Sequence, residues 1–266
     1  MPSHIFLQLG MWNEAAASNE QSYAASKAWV TRDKLPSAKR DLHSLQWLQY
    51  IYLQQGRRED AKKLLAEVEN PLSPRERSAR AWMTARWIAE TGEPLHAVAP
   101  GADDEEEAHC AAPAYGGGQA AHYADALLAI RRGQSPASPI AALAAAREAA
   151  SDPIEKRTLE VTELALKAME LRKQGKLSEA IELAQRAAKI EETLGAPSGP
   201  PDTLKPSHEL YGELLLAAGK PKEALEQFRI SLQRMPNRAA SLAGEATALR
   251  EGTTGGPPAG RHGRQR

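Results

Sequence analysis

The feature that most constrains the fold is the stretch from Ser207 to Leu249, where two apolar runs flank a short turn. Apolar residues recur at three- and four-residue intervals on both sides of Gly219 to Pro221, and Pro236 ends the second run. This spacing predicts two amphipathic helices joined by the turn, followed by a third helix. Because helices this short cannot bury an apolar face alone, each pair must pack against a neighbour.

The remainder of the chain repeats this unit more loosely. Turn glycines recur at intervals of 36 to 46 residues, each between apolar runs with helical spacing: Gly10, Gly56, Gly92, Gly133, Gly175 and Gly219. Only 5% of the 266 residues are aromatic and alanine is abundant, which is typical of closely stacked helices rather than of β-sandwiches. We therefore predict an all-α fold, an α-solenoid of about five to six antiparallel helix pairs over residues 1–250.

Three segments depart from the helical pattern. Residues 96–119 hold the acidic run Asp103 to Glu107, two prolines and three consecutive glycines, which predicts a flexible loop within the array. Residues 195–206 are proline-rich and predict a connector that is not helical. Residues 251–266 are rich in glycine and proline and carry three arginines, which predicts a disordered, mildly basic tail.

The Ser207–Leu249 stretch resembles the tetratricopeptide repeat, whose characteristic order of residue types falls here on Tyr211, Gly212, Leu215, Gly219, Ala224, Phe228 and Pro236. We expect Gly212 and Ala224 to lie where the two helices cross, and Phe228 to fill the space between this unit and its neighbour. The whole chain is also similar to bacterial tetratricopeptide proteins through MPSHIF, HSLQWLQYIYLQQG and HELYGELLLAAGKPKEAL. Since Met1 to Phe6 reads as the middle of a first helix, we expect a chain shortened at its N-terminus relative to longer members.

The spacing of the turn glycines leaves a second architecture open. Tetratricopeptide repeats recur about every 34 residues, whereas armadillo and HEAT repeats recur about every 40 to 47. We favour the tetratricopeptide architecture because the glycine-then-alanine pair recurs in the strongest units, and their second halves end at proline.

The family resemblance implies a protein-binding role without catalysis. First helices of such arrays line a concave groove that receives a peptide or a partner helix. Spacing from the turn glycines predicts these exposed groove residues: Gln46, Tyr50, Trp82, Arg86, Tyr123, Arg172, Glu209 and Glu213. Aromatic residues and arginine are typical of binding hot spots, although Trp82 and Tyr123 are equally well explained as core between repeats. The lysine and asparagine with which some members grip a terminal carboxylate are not found at the matching positions, so we do not predict that clamp.

Composition and motifs argue against several other function classes. Basic and acidic residues both number 34, so the formal net charge is zero and no global field favours nucleic acid or a membrane surface. The single Cys110 excludes an intramolecular disulfide. No run of about 18 apolar residues and no signal-peptide pattern occurs, which favours the cytoplasm. Because the common enzymatic motifs are missing, we predict neither an enzyme nor a cofactor.

A different interpretation is that the chain is the C-terminal part of a metal-dependent or enzyme-associated helical-repeat protein. His4, His43 and His208 all lie at or near predicted first helices, and three imidazoles can bind a metal ion if the fold brings them together. Stacked units keep equivalent positions about one repeat apart, which argues against such a site. The sequence does not indicate the oligomeric state.

Overall fold

The computed structural model describes residues 2–70, 73–95 and 117–253, and these residues form helices, turns and loops with no strand among them. The helices are α1 (Ser3–Gln8), α2 (Trp12–Arg32), α3 (Leu42–Gln54), α4 (Arg58–Ala66), α5 (Pro74–Thr91), α6 (Gly117–Arg132), α7 (Ala137–Ala149), α8 (Pro153–Lys173), α9 (Leu177–Glu192), α10 (Ser207–Ala217), α11 (Pro221–Arg234) and α12 (Ala239–Thr253). The prediction of an all-α fold is confirmed. None of the described helices combines the length and apolar character that crossing a membrane requires.

The helices pack in the order in which they occur along the chain. Each of α1 to α11 contacts the helix that follows it, and further contacts join α3 to α5, α6 to α8, α8 to α10 and α10 to α12. Neighbouring helices therefore bury one another's apolar faces, as the amphipathic spacing predicted.

Turn glycines end the helices where the sequence predicted. All six have a positive φ between 64° and 81°, a conformation that residues with a β-carbon adopt only at a cost. Gly92, for example, follows α5 in the left-handed region, and its N–H donates to the carbonyl of Ile88. α5 also begins with a capping residue, since the Ser73 side chain accepts a hydrogen bond from the Glu76 N–H and Pro74 follows at the first helical position.

Phe228 is the clearest example of packing that the sequence anticipated. Its ring is fully buried between Gly212 of α10 and Gly244 of α12. A β-carbon at Gly212 would lie 2.9 Å from Cζ of the ring, and one at Gly244 would overlap it. The predicted role of Phe228 between two neighbouring units is therefore confirmed.

The boundaries of two of the three irregular segments need correction. Residues 117–119 belong to the first turn of α6, and residues 251–253 continue α12, whose buried Ala248 packs with Phe228. Residues 96–116, including the acidic run and Cys110, and residues 254–266 lie outside the described residues. The connector 195–206 contains no helix, as predicted.

The first and last parts of the chain meet at a seam. The indole N–H of Trp12 donates to the backbone carbonyl of Asn237 at 2.9 Å, and the Asn237 amide donates to the carbonyl of Gly10 at 3.3 Å. Nearby, the backbone N–H of Ala239 donates to Gln54 Oε1 at 3.0 Å. The two ends of the described chain therefore meet, which differs from the open concave groove that the sequence led us to expect.

The seam makes Gly10 more sensitive to substitution than an isolated turn glycine. Gly10→Ala and Gly56→Ala both place a β-carbon at positive φ, which costs about 1–2 kcal/mol. The β-carbon at Gly10 would also overlap the carbonyl of Pro236, whereas the one at Gly56 meets nothing within 4 Å. We therefore expect Gly10→Ala to lower the free energy of unfolding by ~1–3 kcal/mol more than Gly56→Ala does. Urea unfolding of the two variants measures this difference. Equal losses of unfolding free energy in the two variants would contradict the close contact between Gly10 and Pro236.

Candidate functional site

Most of the predicted groove residues are not exposed. The structure buries Tyr50, Trp82, Arg86, Tyr123 and Glu209, each no more than 5% exposed. Gln46 and Glu213 are half-buried and Arg172 is exposed. The prediction of exposed groove residues is therefore wrong for these five. Other parts of the same chain cover Tyr50, Arg86 and Glu209, whereas Trp82 and Tyr123 are buried between helices, as their alternative interpretation as core predicted.

The proline-rich connector covers the surface of α3 and α5. The Arg86 guanidinium donates to the carbonyls of Pro201 at 2.9 Å and Leu204 at 3.4 Å. Gly199 packs against the Trp47 indole so closely that a β-carbon would overlap the ring. A segment predicted only as a linker thus occupies part of the predicted groove.

Arg238, in the loop between α11 and α12, fills a second part of that groove. Its guanidinium donates two hydrogen bonds to Glu209, at 2.7 and 3.0 Å, and one to Glu90 at 2.9 Å. It also donates to the Tyr50 hydroxyl at 3.3 Å. Side chains of α3, α5 and α10 therefore converge on one arginine, whose side chain is 2% exposed.

The charges in this cluster stabilise one another. Burial alone would raise the pKa of Glu209, but Arg238 and Lys205 lower it to about 2. Burial alone would likewise lower the pKa of Lys205, but the carboxylates of Glu213 and Glu209 raise it above its usual value. Glu209 and Lys205 are therefore charged at neutral pH, and their ion pairs stabilise the closed fold.

One part of the predicted groove stays open. A trough of about 460 Å³ lies between α5, α6, α8 and α10. Three of the predicted site residues, Tyr123, Arg172 and Glu213, line this trough together. The structure thus brings together residues that lie on three different helices and in three different repeats of the sequence.

The trough combines apolar walls with a basic rim. Its apolar wall consists of four aliphatic side chains: Leu127, Ile130, Met169 and Leu210. Its positive charge comes from four basic residues: Arg131, Arg172, Lys173 and Lys205. Arg131 donates to the carbonyls of Gly92 and Ile88, and Lys205 donates to Glu213 at 2.7 Å. Arg172 and Lys173 are exposed and form no ion pair with another described residue.

Tyr123 contributes an unused polar group to the trough. Its side chain is 1% exposed, and its hydroxyl has no hydrogen-bond partner among the described residues. Burial raises the pKa of Tyr123 above its usual value, so the hydroxyl is neutral and can donate a hydrogen bond. Buried hydroxyls in folded proteins are nearly always paired, so this one is a candidate for contact with a ligand.

Comparisons with known proteins do not assign the chain to a family. No protein-family model, curated protein or solved structure matches it. The resemblance to tetratricopeptide repeats therefore rests on the order of residue types in the sequence, and the function has to be inferred from the geometry of the site.

The three histidines of the alternative interpretation do not meet. The rings of His4 and His43 stack at 5.7 Å, each 4.3 Å from the Trp47 ring. His208 instead lies beside Gln227, 2.8 Å from its Oε1, and Glu192. Across residues 2–70, 73–95 and 117–253, no three His, Cys, Asp or Glu side chains are placed to hold a metal ion.

A smaller cavity of about 190 Å³ lies between this His4–His43 pair and the connector. Gln46, Trp82 and Arg86, three of the predicted groove residues, line it together with Gly199 and Pro200. These predicted residues therefore line a cavity bounded by the chain's own connector.

The sequence interpretation missed Arg238, Glu90, Lys205 and Lys173. Arg238 follows the sequence Met-Pro-Asn, which ends a helix. The spacing of residues around Arg238 does not indicate that its guanidinium contacts Tyr50, 188 residues away along the chain. Lys205 lies in the connector, outside any helical pattern. Lys173, by contrast, directly follows the predicted Arg172 and could have been found from its position in the last turn of the same helix.

Proposed function

We propose that the chain is a tetratricopeptide-like helical array that binds a segment of a partner protein in the trough between α5, α6, α8 and α10. The function is binding alone, with no chemical step. The observation that carries the proposal is that this trough of about 460 Å³ stays open, while the connector and Arg238 fill the neighbouring surface.

The sequential packing of the helices supports a repeat architecture. Each helix packs on the next, the six turn glycines share one backbone conformation, and Phe228 packs between two glycines of neighbouring units. Repeat arrays with these features present extended surfaces for binding rather than enclosed catalytic pockets.

The chemistry of the trough suits a peptide segment better than a flat protein surface. A concave site with apolar walls can bury one or two anchor side chains, while polar groups at its rim fix the orientation of the ligand. Tyr123 and Arg172 are residue types that contribute strongly to such sites, because they offer large contact area and defined hydrogen-bond geometry.

The proposal is tested by selecting peptides from a display library of random ten-residue segments against the immobilised full chain. We expect sequences to be enriched over the empty matrix, and we expect Ala89→Phe to weaken their binding at least tenfold. Ala89 is half-buried and lines the trough, so a phenylalanine there occupies the space that a ligand would need.

Ala217→Phe is the matched control, because Ala217 is exposed on α10 and does not line the trough. Circular dichroism and the unfolding midpoint establish that both variants are folded. A selection without enrichment, or enriched peptides that bind Ala89→Phe as tightly as the unsubstituted chain, would overturn the proposal.

A further inference from the structure

The walls of the trough indicate what kind of side chain can enter it. Leu127, Ile130, Met169 and Leu210 lie on α6, α8 and α10 and leave an apolar space between them. A large aliphatic side chain, such as leucine or methionine, gains most from such a space because its transfer from water is favourable and needs no polar partner.

The charge at the rim of the trough indicates which kind of group the ligand carries next to its aliphatic side chain. Four basic residues line the trough, although the whole chain has no net charge. Glu213 is the acidic residue lining it, and Lys205 already pairs with this carboxylate. Since exposed Arg172 and Lys173 form no ion pair with a described residue, the rim favours an anionic group on the ligand.

The Tyr123 hydroxyl adds a third and independent contact. It is buried and lacks a partner among the described residues, and leaving such a group unpaired is unfavourable. An oxygen atom of a bound segment would accept its hydrogen bond. The hydroxyl is therefore a donor with no partner to give up among the described residues, on a side chain that lines the trough.

From these three observations, and resting on the proposed peptide-binding function, we propose that the trough recognises an internal acidic–aliphatic segment. In this segment an aspartate or glutamate lies next to a large aliphatic residue. The aliphatic side chain enters the space between α6, α8 and α10. The acidic side chain contacts Arg172 and Lys173, and Tyr123 donates a hydrogen bond to an oxygen of the segment.

The test uses the same random library and then synthetic copies of the enriched sequences, acetylated and amidated so that no chain terminus contributes charge. We expect Asp or Glu next to Leu, Ile or Met to be enriched. Changing the acidic residue to its amide is expected to weaken binding about tenfold, and so is Arg172→Glu. Added salt is expected to weaken binding further, because exposed charges are screened.

Two further variants test the charge and the hydroxyl separately. Arg186→Glu reverses an exposed arginine on α9 that does not line the trough, and it is expected to leave the affinity unchanged. Tyr123→Phe removes only the hydroxyl, so it should leave the unfolding midpoint unchanged and weaken binding about three- to tenfold, the range for one hydrogen bond.

The possible outcomes separate this inference from the proposed function. The acidic–aliphatic inference would be overturned if the enriched peptides lacked acidic residues, or if Arg172→Glu bound them with unchanged affinity. Neither result would contradict the proposal that the trough binds peptides. Full affinity in Tyr123→Phe would overturn the role of the hydroxyl. No enrichment at all would overturn both proposals.

Discussion

Replacing Arg238 by methionine is expected to lower the free energy of unfolding by about 3–5 kcal/mol, the cost of removing one partner from a buried ion pair. The arginine binds Glu209 through two hydrogen bonds and Glu90 through a third. Methionine fills part of the same volume but leaves both carboxylates without this partner. Because the side chains of Glu209 and Glu90 are at most 8% exposed, water cannot replace it.

Urea unfolding followed by helical circular dichroism measures this loss. Arg229→Met is the matched control, since the pair between Arg229 and Glu245 spans 3.0 Å but the arginine is 57% exposed. Exposed pairs contribute at most about 1 kcal/mol. Equal losses in Arg238→Met and Arg229→Met would show that the buried cluster does not hold the fold closed.

The second large effect is a loss of stability in acid that depends on Glu209. Its pKa falls from 4.5 to about 2 on folding, because Arg238 and Lys205 outweigh the effect of burial. A lowered pKa means that the stabilisation is fully present above pH 4.5 and is lost as the pH falls towards 2. A shift of this size corresponds to about 3 kcal/mol.

Urea unfolding of the unsubstituted chain and of Glu209→Gln at several pH values isolates this contribution. We expect the difference in unfolding free energy between them to shrink as the pH falls from 4.5 towards 2, because protonated Glu209 resembles glutamine. Glu226→Gln, which removes an exposed carboxylate on α11, controls for the loss of one negative charge. A difference that does not depend on pH would contradict a carboxylate held ionised by Arg238 and Lys205.

Features determined by nearby residues were predictable from the sequence. The turn glycines, the Ser73 cap of α5 and the contact of Phe228 with Gly212 all depend on residues within one helix or one helix pair. Periodicity and small-residue spacing describe such neighbourhoods directly, so the all-α fold followed from them.

Features that join distant parts of the chain were not predictable in the same way. Spacing from a turn glycine placed Tyr50 and Arg86 on first helices, but it could not show that Arg238 and the 195–206 connector cover them. These contacts cross more than 100 residues and follow no period. Tyr123 and Arg172 were also predicted to line a groove, and in the structure both line the open trough. This part of the predicted groove stays open because no other described segment lies over the trough.

The central claim is that the chain closes on itself and leaves the trough open. The most direct test is the distance between spin labels at Asn13 and Leu242, both exposed, introduced as cysteines in a Cys110→Ser background. Asn13 is adjacent to Trp12, which hydrogen-bonds Asn237 at 2.9 Å, and Leu242 follows Asn237 by little more than one helical turn. Labels at Asn13 and Leu242 should therefore lie within roughly 10–25 Å of each other. A distribution centred beyond about 40 Å, the separation expected across an open stack of several helix layers, would contradict the closed fold.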